Sequence, residues 1–128
     1  MAAFSVRSFK GLCMHELSIA ISMIEQVIEE SESRGGLDVE VVHLRLGVFS
    51  GVDKEALLFS YALACEGTRL EGSHLVVETV PLVIYCPSCK RERAPLSVYQ
   101  LCCPDCLVPA EGIITGREIE VRSLEVAA

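Results

Sequence analysis

The sequence predicts an α/β fold of the α+β kind: a small sheet packed by two helices, with an inserted four-cysteine, zinc-ribbon-like module. Three observations lead there. Two stretches carry apolar residues at three- and four-residue spacing, the helical period. Segments near residues 38–46, 74–85 and 112–126 alternate or run apolar in the manner of strands. Between the last two lie the pairs CPSC and CPDC, which form a C-x2-C-x13-C-x2-C pattern from Cys86 to Cys106.

Residues 1–13 carry Arg7 and Lys10 and no acid. They resemble the start of a transit peptide but are short and lack a helical pattern. They are expected to be an N-terminal extension: a disordered tail, an expression remnant or a start read too early. Cys13 has no partner in sequence and no role. The first helix is expected from Met14 to about Ser33, with a core stripe of Leu17, Ile21, Ile24 and Ile28 widened by Ala20 and Val27. Its wet side is Glu25, Glu29, Glu30 and Glu32, and Gly35-Gly36 ends it.

Asp38 to Leu46 reads as a strand with Val42, Leu44 and Leu46 inward and His43 and Arg45 outward. The turn from Gly47 to Val52 has two glycines for unusual backbone angles. Asp53 follows as a helix N-cap. A second helix continues through Leu57, Leu58, Tyr61 and Cys65 to a stop at Gly67, and Cys65 reads as a small buried hydrophobe. His74 to Tyr85 reads as one or two strands, with Pro81 against a single paired strand across that point. His74 has no partner nearby. Gly112 to Val126 returns to strand and most simply rejoins the first sheet. The expected units are residues 14–84 plus 112–128 as the α/β domain and 85–111 as the metal module.

The module holds the most legible chemistry. Each C-P-x-C pair aims two thiolates at one point, and two such knuckles close a tetrahedral site that suits zinc. An iron–sulfur cluster is the other metal reading of four sulfurs, whereas magnesium and calcium are excluded. Two disulfides or a single C-x-x-C redox motif are the rival readings. With four sulfurs and no histidine the site is closed and structural, and a segment this short needs the metal to fold. Cys102 stands beside Cys103, but only Cys103 reproduces the C-P-x-C knuckle.

Composition narrows the partners. Apolar residues make up 51% of 128 residues, enough for a core, and the net charge of -7 opposes binding to phosphate backbones. No nucleic-acid partner is expected, and no apolar run approaches a membrane span. Without a secretory pattern, seven cysteines suggest a reducing cytoplasm and metal rather than disulfides.

His15 and Glu16, taken alone, are an ordinary helix start. Together, however, MHELSIA from Met14, the segment LRLGVFSGVDKEAL and the paired C-x-x-C motifs resemble the HypA family. That family incorporates nickel during maturation of nickel–iron hydrogenases and, in some bacteria, urease. The resemblance covers residues 14 to about 126. It implies a two-part nickel chaperone, a cytoplasmic metallochaperone and not an enzyme. Met14, His15, Glu16 and Asp53 match its ligands for transferable Ni(II), and Cys86, Cys89, Cys103 and Cys106 match its ligands for structural zinc. An imidazole, backbone nitrogens and a carboxylate make the nitrogen and oxygen field that Ni(II) accepts. The implied partners are the GTPase HypB, a hydrogenase large-subunit precursor and, for urease, its accessory proteins. The lack of a phosphate-binding glycine loop here fits that division of labour.

Two departures stand out. In the family the methionine supplies a free terminal amine, whereas thirteen residues precede Met14 here and make its nitrogen a peptide amide. Some relatives carry histidine beside their zinc cysteines, whereas Lys90 and Leu107 stand there in this chain, which predicts a zinc site without a histidine-dependent acid switch. Two other functions compete with nickel delivery: a zinc-ribbon adaptor for protein or RNA, and a thiol oxidoreductase using one C-x-x-C.

Overall fold

A computed structural model describes residues 2–3 and 15–127 of the chain. Its elements run β1 (Ala2–Ala3), α1 (Glu16–Ser33), β2 (Val39–Gly47), α2 (Lys54–Cys65), β3 (His74–Val80), β4 (Val83–Cys86), β5 (Arg91–Arg93), β6 (Gly112–Thr115) and β7 (Ile119–Val126). They build two sheets, one four-stranded in the order β1-β7-β2-β3 and one three-stranded in the order β5-β4-β6.

In the larger sheet β2 pairs in parallel with β3, and α2 makes the crossover between them. The C-terminal β7 returns to pair antiparallel with β2. On its far edge Ala2 and Ala3 pair with Leu124 and Ser123. Both helices cover one face. The core joins Ile19, Met23, Ile24 and Val27 of α1 and Leu57, Tyr61 and Cys65 of α2 to Val42, Leu44 and Leu46 of β2 and Val121 and Leu124 of β7. The opposite face is tied by ion pairs across the strands: His43–Glu125 at 2.6 Å, Arg45–Glu120 at 2.9 Å and Arg122–Glu78 at 2.8 Å. These pairs are open to water, so they hold register more than they add stability.

The helix stripe is rotated from the expected one. Leu17 and Ile21 are both 44% exposed, and Ile19 and Met23 take the core positions instead. The cause is an excess of apolar residues on α1, which offers two overlapping stripes. Pro81 ends β3 as expected, and the chain then enters the second sheet. The C-terminal strand is in fact two: β6 pairs with β4 in the small sheet, and only β7 rejoins the large one.

The turn after β2 holds the two sheets together. Of its two glycines only Gly51 has a left-handed angle, φ +79°. Gly47 serves close approach instead, because a Cβ there would lie 2.0 Å from the Gly116 carbonyl oxygen. Gly116 itself has φ +120° and would meet Leu82. Three backbone bonds fix this junction: Gly47 N–H to Glu118 O at 2.7 Å, Val48 N–H to Val80 O at 3.0 Å and Phe49 N–H to Gly116 O at 2.7 Å. Both connections to the small sheet are thereby held by one turn, and that turn leads directly to Asp53.

Candidate metal centres

The small sheet places the cysteines. Cys86 ends β4, and its carbonyl accepts the N–H of Lys90 at 2.8 Å, which curls CPSC into a knuckle. CPDC repeats the geometry, with the Cys103 carbonyl accepting the N–H of Leu107 at 2.9 Å. Each knuckle closes on a left-handed residue, Lys90 at φ 55° and Leu107 at φ 57°. Glycine is the residue that adopts this angle without strain, so the two side chains are held there by the surrounding bonds.

The four sulfurs of Cys86, Cys89, Cys103 and Cys106 lie within 4.8 Å of one another. Cys86–Cys106 are 3.3 Å apart, Cys89–Cys103 3.8 Å and Cys89–Cys106 4.0 Å. A tetrahedron of sulfurs about 2.3 Å from a central zinc has edges of roughly 3.8 Å, so the cluster fits such an ion. A disulfide needs about 2.05 Å, and none of these cysteines is in one. Cys86 and Cys103 are buried and Cys89 and Cys106 half-buried. Cys102 lies outside the group and makes a backbone bridge with Pro109.

The electrostatics divide the thiols by their place in the knuckle. The Cys89 amide, 3.3 Å from Cys86 Sγ, holds that thiol below its ordinary value. The Cys106 amide acts likewise on Cys103, which is brought down to about 6. Cys89 is pushed up to about 12, first by the sulfur of Cys86 and then by that of Cys103. Cys106 also rises: the Val108 amide opposes this, but the Cys86 sulfur and burial outweigh it. Backbone amides thus favour the thiolate at the first cysteine of each knuckle, and the neighbouring sulfurs disfavour it at the second. Sequence reasoning missed the outer charges. Arg93 reaches Asp105 of the second knuckle at 2.6 Å, and Arg91 lies 3.7 Å from it. The run Lys90-Arg91-Glu92-Arg93 directly after CPSC was the available signal, since cations there face a centre that gathers thiolate charge.

A second group forms where the helices begin. The two helices run side by side in the same direction. Asp53 N–H donates to Glu16 Oε1 at 3.2 Å at one end, and Glu32 lies 3.8 Å from Arg69 at the other. Asp53 caps α2, its Oδ1 accepting the N–H of Ala56 at 3.0 Å. His15 is the N-cap residue of α1, but its side chain makes no capping bond and is exposed. The fold thus brings Glu16 and Asp53, 37 residues apart in sequence, into hydrogen-bond contact. His15 precedes Glu16 in sequence, but among the described residues only the four cysteines bring three or more potential ligand atoms within 4.8 Å of one another. Met14 lies outside the described residues. His43 is engaged with Glu125, and His74 is exposed at the start of β3.

A small α/β domain carrying four cysteine sulfurs close enough to share one ion defines a metal-binding protein. The family model described as "Hydrogenase/urease nickel incorporation, metallochaperone, hypA" matches residues 14–126. The chain belongs to the HypA family, whose members are maturation factors and not enzymes. It is 48% identical over 112 residues to the hydrogenase maturation factor HypA of Roseiflexus sp. (strain RS-1), a match covering 88% of this chain and 91% of that one. It is 42% identical over 113 residues to the HypA of Chloroflexus aurantiacus (strain ATCC 29366 / DSM 635 / J-10-fl), covering 88% and 98%. The fold resembles the solution structure of the Ni metallochaperone HypA from Helicobacter pylori, with TM-score 0.65, 23% identity, and 90% and 99% of the two chains covered.

Proposed function

We propose that this protein binds Ni(II) as a transferable cargo at Met14, His15, Glu16 and Asp53 and hands it on during maturation of nickel–iron hydrogenase. Cys86, Cys89, Cys103 and Cys106 hold zinc, which when bound cross-links two knuckles that bury too little apolar surface to stay folded alone. The partners in this reading are the GTPase HypB and a hydrogenase large-subunit precursor, with urease accessory proteins where urease is the client. Delivery takes place in the cytoplasm. No described helix is long and apolar enough to cross a membrane.

One observation carries the proposal: Glu16 and Asp53 meet at the joined N-termini of two helices, next in sequence to an exposed His15 whose side chain makes no capping bond. The site's chemistry suits hand-off. Two helix N-termini present partial positive charge, which opposes a cation, and the carboxylates offset it. Glu16 and Asp53 each spend one oxygen on a backbone amide. The second oxygens stand at the surface, so an acceptor can approach without unfolding the chaperone. His15 contributes imidazole nitrogen, the donor that favours nickel over magnesium or calcium.

The test is nickel titration of zinc-loaded protein beginning at Met14, beside its His15→Ala variant and the full chain. His15→Ala is expected to weaken nickel binding more than tenfold with zinc content unchanged. Loss of residues 1–13 is expected to tighten it, because a free amine replaces a peptide amide. Equal affinity in the two lengths would dismiss the amine as a ligand. Nickel uptake untouched by His15→Ala would leave the adaptor reading, which draws on Leu96, 52% exposed, and Tyr99, 95% exposed, between the knuckles.

A further inference from the structure

Helix α2 is apolar on more sides than its core contact needs. Leu57, Tyr61 and Cys65 fill its buried face. On the opposite side Phe59 is 67% exposed and Leu63 46% exposed, with Ala62 exposed beside them. Glu55, Phe59, Ala62, Leu63 and Glu66 are spaced by four, three, one and three residues, so they form one outward stripe. Both acids are exposed, and no charged residue interrupts the apolar centre between them. They sit about 16 Å apart along the axis. A helix apolar all round in a domain of this size has a face meant for something outside it.

The charges select what that is. A second copy pairing antiparallel through the same stripe would set Phe59 against Ala62, but it would also set Glu55 against Glu66 at both ends. Like charges there, between chains that each carry -7, oppose self-association. The complementary ligand is an amphipathic helix with an apolar seam and a lysine or arginine at each end, three turns apart. We propose that the outer face of α2 is the docking surface for such a helix on a protein partner. This rests on the delivery reading above, which requires a partner, and adds where that partner binds.

The experiment measures binding of purified HypB to the full zinc-loaded chain by calorimetry, with nickel titration of each variant in parallel. Phe59→Ser is expected to weaken HypB binding at least tenfold. The pair Glu55→Lys with Glu66→Lys is expected to do the same and to flatten the dependence of affinity on salt. Phe59→Ser should take up nickel as the parent does, since it lies more than a helical turn from Asp53 and alters none of His15, Glu16 or Asp53. The proposal is overturned if both bind HypB unchanged, or if the parent binds nickel but not HypB. It is equally overturned if sedimentation shows a dimer that Phe59→Ser dissociates, which would make a second copy the occupant. A more than tenfold gain in HypB binding on deleting residues 1–13, lost again with Phe59→Ser, would support the proposal, with the amino-terminal segment competing for the same face. Failure of nickel uptake alone would strike the delivery reading and leave the docking result standing.

Discussion

The sulfur centre and the histidine–carboxylate group solve opposite problems with the same backbone devices. In the sulfur centre, amide hydrogen bonds aim at the ligand atoms themselves, and two of the four sulfurs are buried. At the helix starts, amides take one oxygen from each carboxylate, and the exposed histidine side chain makes no capping bond. A ligand fixed by several bonds before the ion arrives loses little entropy on binding and releases slowly. A ligand ordered only on binding gives weaker, faster exchange. Under the function proposed above, the contrast separates an ion kept in place from one held for transfer.

The largest test of that contrast is Cys103→Ser. Apparent binding free energies of structural zinc reach about 10 kcal/mol or more, so the variant should lose its metal entirely and expose residues 83–115 to proteolysis. Cys102→Ser should keep the metal, because Cys102 stands outside the sulfur group. Retention of zinc by the first and loss by the second would reverse their roles. Next in size is Leu57→Ala. Leu57 is fully buried in a core that contains no residue of β4, β5 or β6. It should destabilise the α/β domain by about 2–5 kcal/mol, read by denaturant unfolding of the helical signal. Zinc content measured below the transition should stay at the parent level.

Asp53 separates structure from binding on a finer scale. Asp53→Ala removes the cap and should cost about 1 kcal/mol, together with weaker nickel binding. Asp53→Asn keeps an oxygen for the Ala56 amide, so stability should hold while nickel affinity still falls. Unchanged nickel titration in both would reduce Asp53 to a capping role. The smallest effect is Lys90→Gly. Relief of a left-handed lysine, offset by the freer unfolded chain, should change thermal stability by no more than about 1 kcal/mol, toward stabilisation. A clear loss would mean that the Lys90 side chain, and not only its backbone angle, supports the sulfur centre.

The fold class was readable because its signals are local. Alternation marks β2, the run from Asp53 marks α2, and knuckle spacing alone separates Cys103 from Cys102. What escaped has a common cause. In α1, Leu17 and Ile21 compete with Ile19 and Met23 for the core, and only the neighbouring sheet decides the rotation. Gly47 looked like a turn residue because sequence shows its flexibility but not the Gly116 carbonyl pressed against it. The place of β6 in the small sheet depends on pairing with β4, which sequence does not rank against pairing with β2. The meeting of Glu16 with Asp53 comes from two helices running in one direction, a tertiary fact with no trace in residue spacing.

The turn from Gly47 to Phe49 gives the molecule a mechanical property. It clasps the outgoing and returning strands of the four-cysteine lobe with three backbone bonds, and the helix-capping aspartate lies four residues beyond Phe49. Any swing of that lobe must therefore pull on the same short length of chain that carries Asp53. A force applied to the lobe is thus transmitted to the start of the second helix without any contact there.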